Sequence, residues 1–345
     1  MRAASILVPP AFAVVLGAAL LPAFGTLTPR SPLPDRPSPH PGEGTPPPTR
    51  AGGGGSGRAS GPETSGFDPA RVSWTRLKFK AEKLFLTVYS EVELRTRLSS
   101  EVEPALIPSP RSVALMPSGP ELLELRLDSS GGRDSIRVWF TAHDARALQR
   151  LKLRGGKKAY KKIFRFTREG TYSLRTAPRN RREGRLPPEQ WTQVEEFFYP
   201  YAWGSSCPVI SEPSLLFYAI SAARLPAGGE PVGLCVFSRK SVIPLEIAAR
   251  GSRRLAVDYA ETSAQGQRRR TGEITTSEIS IRVRELGDEA EKADFKFVGL
   301  AGDVAIYLEE SSRIPVQVSG RIPGLGGVDI KLIEVDLVKT MGVQP

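Results

Sequence analysis

The chain has 345 residues, of which 40% are hydrophobic and 25% are charged. This composition is ordinary for a soluble globular protein, and it excludes a polytopic membrane protein and a fully disordered chain. The formal net charge is +11, and the two cysteines and two histidines leave little material for a metal site or a histidine-based active site.

The N-terminus has the pattern of an export signal. Arg2 precedes an apolar stretch at 6–21, and the small residues Ala23 and Gly25 suit a cleavage site. The stretch is shorter than the roughly twenty residues that span a bilayer. We therefore expect residues 1–25 to be a signal peptide and the protein to be periplasmic. The alternative is an uncleaved N-terminal anchor that tethers the protein to the inner membrane.

Residues 26–68 have the composition of a linker. Proline dominates the first half, glycine dominates the second, and apolar side chains are almost absent. Such a segment cannot bury enough apolar surface to offset its chain entropy, so it is predicted to be disordered.

Residues 69–345 are predicted to form one β-rich domain. Apolar and polar residues alternate with a period of two in many segments, and turn residues at 168–170 and 310–312 predict hairpins. Adjacent hairpins favour a curved antiparallel sheet or incomplete β-barrel. The predicted strands are 84–94, 121–127, 135–141, 162–167, 171–176, 232–238, 242–249, 254–261, 277–284, 295–298, 303–309, 314–319 and 328–338.

Three further features refine this prediction. Leu77, Phe79 and Ala81 have the opposite parity to the strand at 84–94, which predicts a bulge near Glu82 and Lys83. Two helices are expected to plug or flank the sheet. The first would begin at 187–189 and carry Trp191, Val194 and Phe198 at helical spacing. The second would span 212–223, capped by Ser211.

Cys207 and Cys235 bracket the second predicted helix. An even cysteine count in an exported chain predicts one structural disulfide. Two buried free thiols are the alternative, and the lack of a Cys-x-x-Cys motif makes a redox or metal role weaker.

The segment 146–185 is strongly basic. It holds fifteen Lys or Arg and two acids, a net +13 that exceeds the +11 of the whole chain. This concentration predicts an anionic partner, and an exported protein would meet lipid, lipopolysaccharide or acidic polymer rather than nucleic acid. Arg268–Arg270 is a smaller basic run, expected in a solvated turn. The candidate anion-binding residues are Lys152, Arg154, Lys157, Lys158, Lys161, Lys162 and Arg165.

Aromatic residues alternate with these charges at strand spacing. The pattern places the aromatics on the inner face of the sheet and the charges in solvent. The candidates for an apolar cavity are Trp139, Phe164, Phe166, Trp191, Phe198 and Tyr199. Plain core packing is the alternative role for all six.

No catalytic motif assembles. The sequence around Gly155-Gly156-Lys157 lacks the first glycine and the Ser or Thr of a phosphate-binding loop. No Gly-x-Ser-x-Gly elbow is present, and only His143 could serve a Ser-His-acid triad. We therefore predict that the protein is not an enzyme and has no cofactor or metal.

The C-terminal third resembles a known family. Gly302-Asp303-Val304-Ala305-Ile306, then Arg313-Ile314-Pro315-Val316 and Gly326-Gly327 before a last strand, resemble the end of the domain-of-unknown-function 3108 family (DUF3108). The resemblance implies an exported bacterial envelope protein with a curved, lipocalin-like or lipoprotein-carrier-like antiparallel sheet. It implies no activity and no catalytic residues.

These observations predict a membrane-proximal, non-enzymatic cell-envelope protein that binds a lipid or another amphiphilic or anionic ligand in a curved sheet. The alternative is a periplasmic scaffold or assembly factor that binds another envelope protein. A hydrolase acting on an envelope polymer is a third possibility. A cavity filled by the protein's own side chains would favour the scaffold.

Overall fold

The computed structural model describes residues 66–83, 86–129, 134–201, 207–284 and 295–338. The predicted signal at 1–25 and the predicted linker up to residue 65 lie outside these ranges. Phe67 and Asp68, which the sequence assigns to the linker, belong to the folded domain. Phe67 is buried, and the backbone N–H of Asp68 donates to the carbonyl of Ala222.

The domain is built mainly of strands, as predicted. The strands are β1 (Trp74–Lys83), β2 (Leu86–Leu98), β3 (Glu121–Ser129), β4 (Asp134–Phe140), β5 (Ala147–Arg154), β6 (Tyr160–Phe166), β7 (Gly170–Ala177), β8 (Gln193–Pro200), β9 (Ile210–Ser211), β10 (Val232–Ser238), β11 (Ser241–Ser263), β12 (Gly266–Val283), β13 (Lys296–Phe297), β14 (Leu300–Glu309), β15 (Pro315–Ile322) and β16 (Gly326–Leu337). The α-helices are α1 (Ser99–Val102) and α2 (Leu216–Ala222). Short 3-10 helices lie at Pro69–Arg71, Glu103–Ala105, Gly156–Lys158, Glu183–Arg185, Pro188–Gln190 and Pro213–Leu215.

One sheet contains all sixteen strands. The order is β8-β7-β6-β5-β4-β3-β2-β1-β16-β15-β14-β12-β11-β10-β9, with β13 paired to β14. All pairs are antiparallel except β9–β10 and β11–β16. The first eight strands are antiparallel neighbours in chain order, and the last strand pairs with the other edge of β1.

The C-terminal strands form a closed ring. Strands β16, β15, β14, β12 and β11 are successive neighbours, and the far end of β11 returns to β16. There Ala260–Thr262 pairs with Glu334–Asp336 in parallel. The predicted curved sheet or incomplete barrel is therefore confirmed, with closure confined to this ring.

Helix α2 fills the concave side of the sheet around β1 and β4. All seven of its residues are buried. The Phe217 ring stacks on Phe79 with a centroid separation of 5.3 Å, and the Tyr218 ring meets Phe140 edge-on at 4.9 Å. Arg313 donates to three carbonyls at the end of the helix, which no longer have partners within it. The predicted second helix is thus confirmed as a plug of the sheet.

Four sequence predictions about these elements are wrong. The segment at 187–198 is not a helix, because only Pro188–Gln190 forms a 3-10 turn and β8 follows it. Ser211 lies in β9, and Glu212 instead accepts from the N–H of Ser214 at the helix start. The parity change near residue 83 marks the reversal between β1 and β2, not a bulge. The run Arg268–Arg270 lies within β12, where two of its arginines bind buried acids.

Candidate anion site on the concave face

Side-chain alternation divides the candidate basic residues between the two faces of the sheet. On β6, Phe164 and Phe166 pack against Phe237 of β10, so the even-numbered residues of β6 face inward. Lys162 shares this face, whereas Lys161 and Arg165 face outward. The cross-strand register places Lys152 opposite Lys162 and Arg154 opposite Tyr160, so both belong to the inner face. Lys157 and Lys158 are exposed in the turn between β5 and β6.

Arg165 is buried and does not face solvent. Only 1% of its surface is exposed, and it donates to the carbonyls of Ile107 and Leu148 and to the sulfur of Met116. Burial lowers the pKa of its guanidinium to about 10. Two of these acceptors, Ile107 and Met116, lie in the segment 103–116 that covers the outer face of the sheet. Arg165 therefore holds that covering segment and is inaccessible to an anionic ligand.

A single row of side chains crosses the concave face from β1 to β8. Register places the members of the row directly opposite one another on successive strands. The first four are apolar, the next three are cationic and the last is acidic. In order they are Leu77, Val92, Leu127, Ile136, Lys152, Lys162, Arg175 and Glu195.

The three arginines around this row each have an acidic partner. Arg150 lies 3.2 Å from a carboxylate oxygen of Glu212, Arg154 lies 2.8 Å from Asp134, and Arg175 lies 2.7 Å from Glu195. Glu212 and Arg150 are the most buried of these partners, with 2% and 15% of their side chains exposed. Their charges therefore cancel locally in pairs.

Lys152 and Lys162 have no such partner. Within the described ranges, neither lysine forms an ion pair or a hydrogen bond with a carboxylate. The Lys162 ammonium lies 4.5 Å from the centre of the Phe164 ring. Both lysines are half-buried. Burial, together with the charge of Arg150, lowers the pKa of each from 10.5 to about 8.

A buried hydroxyl group accompanies the cationic row. The hydroxyl of Ser173, on the inner face of β7, is fully buried and has no hydrogen-bond partner among the described residues. An unpartnered buried hydroxyl is costly, so Ser173 marks a place on this face where a polar group is not satisfied by the described residues.

Three of the six candidate cavity aromatics line the concave face. Phe164, Phe166 and Tyr199 surround Phe237, with ring centroids between 5.5 and 6.1 Å apart. Beside them, the Phe197 ring stacks on Tyr199 and half of it is exposed. These rings fill the space that they line, so they act as core here.

The other three candidates lie elsewhere. Trp139 faces outward, packs with Leu122 and Leu148, and donates its indole N–H to Glu124. Phe198 lies on the outer face of β8. Trp191 is buried before β8, where its indole N–H donates to the carbonyl of Leu186.

Two cavities lie away from this site. One, of about 790 Å³, lies between β11 and the strands β15 and β16, with Lys80, Asp258 and Lys331 among its lining residues. Another, of about 450 Å³, is a groove on the outer face lined by Tyr89, Arg126 and neighbouring residues. The cationic row is an open patch at the edge of a filled core.

The predicted disulfide is confirmed. Cys207 is bonded to Cys235 across a separation of 28 residues. The bond joins the segment that leads into β9 to β10, two residues before Phe237. A disulfide of this kind is typical of proteins from oxidising compartments.

The described residues show no assembled catalytic or metal centre. They contain no group of three or more His, Cys, Asp or Glu that could hold a metal ion. His143 is exposed in a turn. Within the described part of the chain, no helix is long and apolar enough to cross a membrane. The prediction that the protein is not an enzyme stays a prediction.

Comparisons with known proteins add little. No family model matches the sequence, and no curated protein matches it. Among solved structures, the chain is similar to a β-barrel-like protein of the domain of unknown function DUF1849 from Brucella abortus, at 8% identity and a TM-score of 0.35. The match covers 78% of this chain and 99% of that chain. A similarity this weak assigns no function, and the resemblance to DUF3108 proteins stays a prediction.

Sequence reasoning missed Arg150, Arg175 and Glu212 as parts of the site. A signal for the first was present, because Arg150-Leu151-Lys152-Leu153-Arg154 alternates strictly between basic and apolar residues. That alternation predicts a strand with one cationic face, which is β5. No local pattern joins Glu212 to Arg150, since the fold alone brings them together.

Proposed function

We propose that the protein is a non-enzymatic, exported binding protein for an anionic amphiphile, whose charged head is held on the concave face by Lys152 and Lys162. The observation that carries the proposal is this pair of half-buried lysines, directly opposite on adjacent strands and without acidic partners in the described ranges. Like charges directly opposite in a sheet destabilise it, so a sheet that retains them gains from an anion that joins them.

The surroundings suit an amphiphile rather than a simple ion. On one side the row continues into the partly buried apolar residues Ile136 and Leu127. On the other side Phe197 is half exposed. An acyl or alkyl chain would lie along these apolar residues at the patch. It would not enter an enclosed cavity, because α2 and Phe237 already fill the interior.

Export rests on three separate observations. The N-terminal sequence has the pattern of a signal, the Cys207–Cys235 disulfide is typical of an oxidising compartment, and the C-terminal third resembles exported DUF3108 proteins. In the envelope, the anionic partners available to the patch are lipids, lipopolysaccharide and acidic polymers.

Binding of matched detergent monomers tests the proposal. Decyl sulfate and the uncharged decyl maltoside share one alkyl chain, and their affinities can be measured by native mass spectrometry below their micelle concentrations. We expect decyl sulfate to bind and decyl maltoside to bind far more weakly. Lys152→Met/Lys162→Met should lose the preference, whereas the exposed control Lys157→Met/Lys158→Met should keep it. Equal binding of both detergents by the natural protein would overturn the proposal.

A scaffold role is the second candidate, and the filled interior favours it. Strand β8 ends the sheet, so among the described residues one of its edges has no neighbouring strand, and Val194 and Phe197 on it are about half exposed. An unpaired edge can accept a strand from a partner protein. A partner that co-purifies from the native host and is released when Val194 is replaced by Lys would favour this role over ligand binding.

A further inference from the structure

We infer that the head group bound at Lys152 and Lys162 is a phosphomonoester, that is, a tetrahedral group with two negative charges. This inference rests on the proposed function and names the class of ligand for it. It distinguishes the ligand from carboxylates, sulfate esters and phosphodiesters, each of which carries one negative charge.

The local charge of the patch favours a ligand with two negative charges. Five cations face the patch, and three acids compensate them in the ion pairs of Arg150, Arg154 and Arg175. The remainder is the two lysines, so strands β5, β6 and β7 leave two uncompensated positive charges on this face. A ligand with one negative charge would leave one cation half-buried and unpaired, which is costly. A ligand with two negative charges would compensate the charges of both lysines.

The spacing of Lys152 and Lys162 suits a single tetrahedral group. Directly opposite residues on neighbouring antiparallel strands have Cβ atoms about 5 Å apart. Two ammonium groups at that spacing can each donate to a different oxygen of one tetrahedral group. A phosphomonoester carries three terminal oxygens and is close to doubly charged at pH 7. Two of its oxygens would accept from the lysines, and the third remains for another donor.

Ser173 offers a hydrogen-bond donor for the remaining oxygen of the phosphomonoester. The buried hydroxyl of Ser173 has no partner among the described residues. Ser173 lies two positions before Arg175 on the same face of β7, and diagonally across from Lys162 on β6. Diagonal neighbours in a sheet lie about 7 Å apart, which is within reach of a group held between the strands.

Other charged groups near the pair fit the same ligand. Lys240, in the turn between β10 and β11, adds positive charge close to Lys162. Asp134 and Glu212 act on Lys152, and Glu195 acts on Lys162, but each of these acids is already bound to an arginine. A dianion would therefore meet a net positive field.

The test compares decyl phosphate with decyl sulfate, which share the alkyl chain and the tetrahedral head and differ by one charge. Affinities are measured for the full chain at pH 7.2 by isothermal titration calorimetry, below the micelle concentrations. We expect decyl phosphate to bind about tenfold more tightly, the effect of one additional charged hydrogen bond. Lys152→Met and Lys162→Met, each alone, should abolish the preference, and the exposed control Lys158→Met should retain it.

Each other outcome has a definite meaning. Equal affinity for the two detergents would overturn the phosphomonoester inference and leave anion binding intact. A phosphate preference that survives in both single variants would overturn the assignment to the lysine pair. If neither detergent binds, the proposed function itself fails. Circular dichroism of each variant separates a lost site from a lost fold.

Discussion

Lys152 and Lys162 show a conflict between stability and charge at the scale of single residues. Because burial lowers the pKa of both lysines to about 8, the folded protein disfavours their charged forms. Nothing in the described core requires these charges, since apolar residues occupy the same row on the four preceding strands. The lysines therefore reduce stability where a ligand would restore it, as binding residues commonly do.

This conflict predicts a pH dependence. Between about pH 8 and 10 the unfolded chain holds more protons on these lysines than the folded protein, so the free energy of unfolding should rise with pH in that window. Urea denaturation of the natural protein from pH 7 to 9.5 measures the slope.

The double variant Lys152→Met/Lys162→Met is the control for that slope. We expect it to be more stable than the natural protein by about 1–2 kcal/mol at pH 7, because apolar groups replace half-buried charges. The gain should shrink towards pH 9.5. A variant less stable than the natural protein at pH 7 would show that the lysines have a structural role instead.

Arg165 is the opposite case, a buried cation whose contacts are complete. Replacing it with Met leaves the carbonyls of Ile107 and Leu148 without their donor, and we expect a loss of about 3 kcal/mol. The matched control is Arg168→Met, an exposed arginine in the next turn, which should change stability by less than about 0.5 kcal/mol. Chemical denaturation gives the change in the free energy of unfolding for each variant. A similar loss in both variants would contradict the structural role assigned to Arg165.

At the scale of elements, the disulfide fixes the strand that carries Phe237. Replacing Cys207 and Cys235 with Ser opens a closed loop of about 28 residues, and the chain-entropy model gives a cost of about 3 kcal/mol. The expected result is a lower urea midpoint for the variant, with the natural protein shifting to the same midpoint under reducing conditions. A natural protein unaffected by reduction would contradict this prediction.

The elements also show which parts of a fold a sequence reveals. Strand β16, which has one buried face, is predicted within two residues, because its alternation reflects burial. The sequence predicts a helix in place of β8, because Val194 and Phe198 also fit helical spacing. Its residues show no clean alternation in burial, since β8 lies at the edge of the sheet. The pairing of β8 with β7 decides the structure of this segment, and the sequence pattern within β8 does not show that pairing.

The site was only partly predictable for the same reason. The basic segment was evident from its charge, but seven candidate residues divide between the inner face, the outer face and a turn. Arg165 seemed equivalent to Lys162 in the sequence and is a buried structural residue. Cross-strand register makes Lys152 and Lys162 neighbours, and register is a property of paired strands rather than of either strand alone.

At the scale of the whole molecule, a buried ionic cluster holds the ring of β11, β12, β14, β15 and β16. Glu261 and Glu309 are 3% and 5% exposed, and both contact Arg270. Arg268 also binds Glu261. The cluster lies beside the residues where β11 joins β16, so it should stabilise the closure of the ring.

Glu261→Gln tests this. The change leaves Arg268 and Arg270 beside an uncharged amide, and the loss of a buried partner should cost about 3 kcal/mol. Hydrogen exchange at 260–262 and 334–336 should increase more than in β3. Glu273→Gln, which removes an exposed ion pair with Arg254, is the control and should leave exchange unchanged. If hydrogen exchange at 260–262 and 334–336 increases no more than in β3, the cluster does not stabilise the closure of the ring.

The pairing of β1 with β16 has a consequence for how the protein is made. Trp74 is paired with Leu337, so the earliest strand of the domain acquires its second neighbour only when the last strand has been synthesised. Until then one edge of β1 has no strand to pair with. Contacts so distant in sequence form slowly. In a nascent chain of this topology the pairing of β1 therefore stays incomplete until translation reaches β16, so the sheet is finished only after synthesis of its last strand.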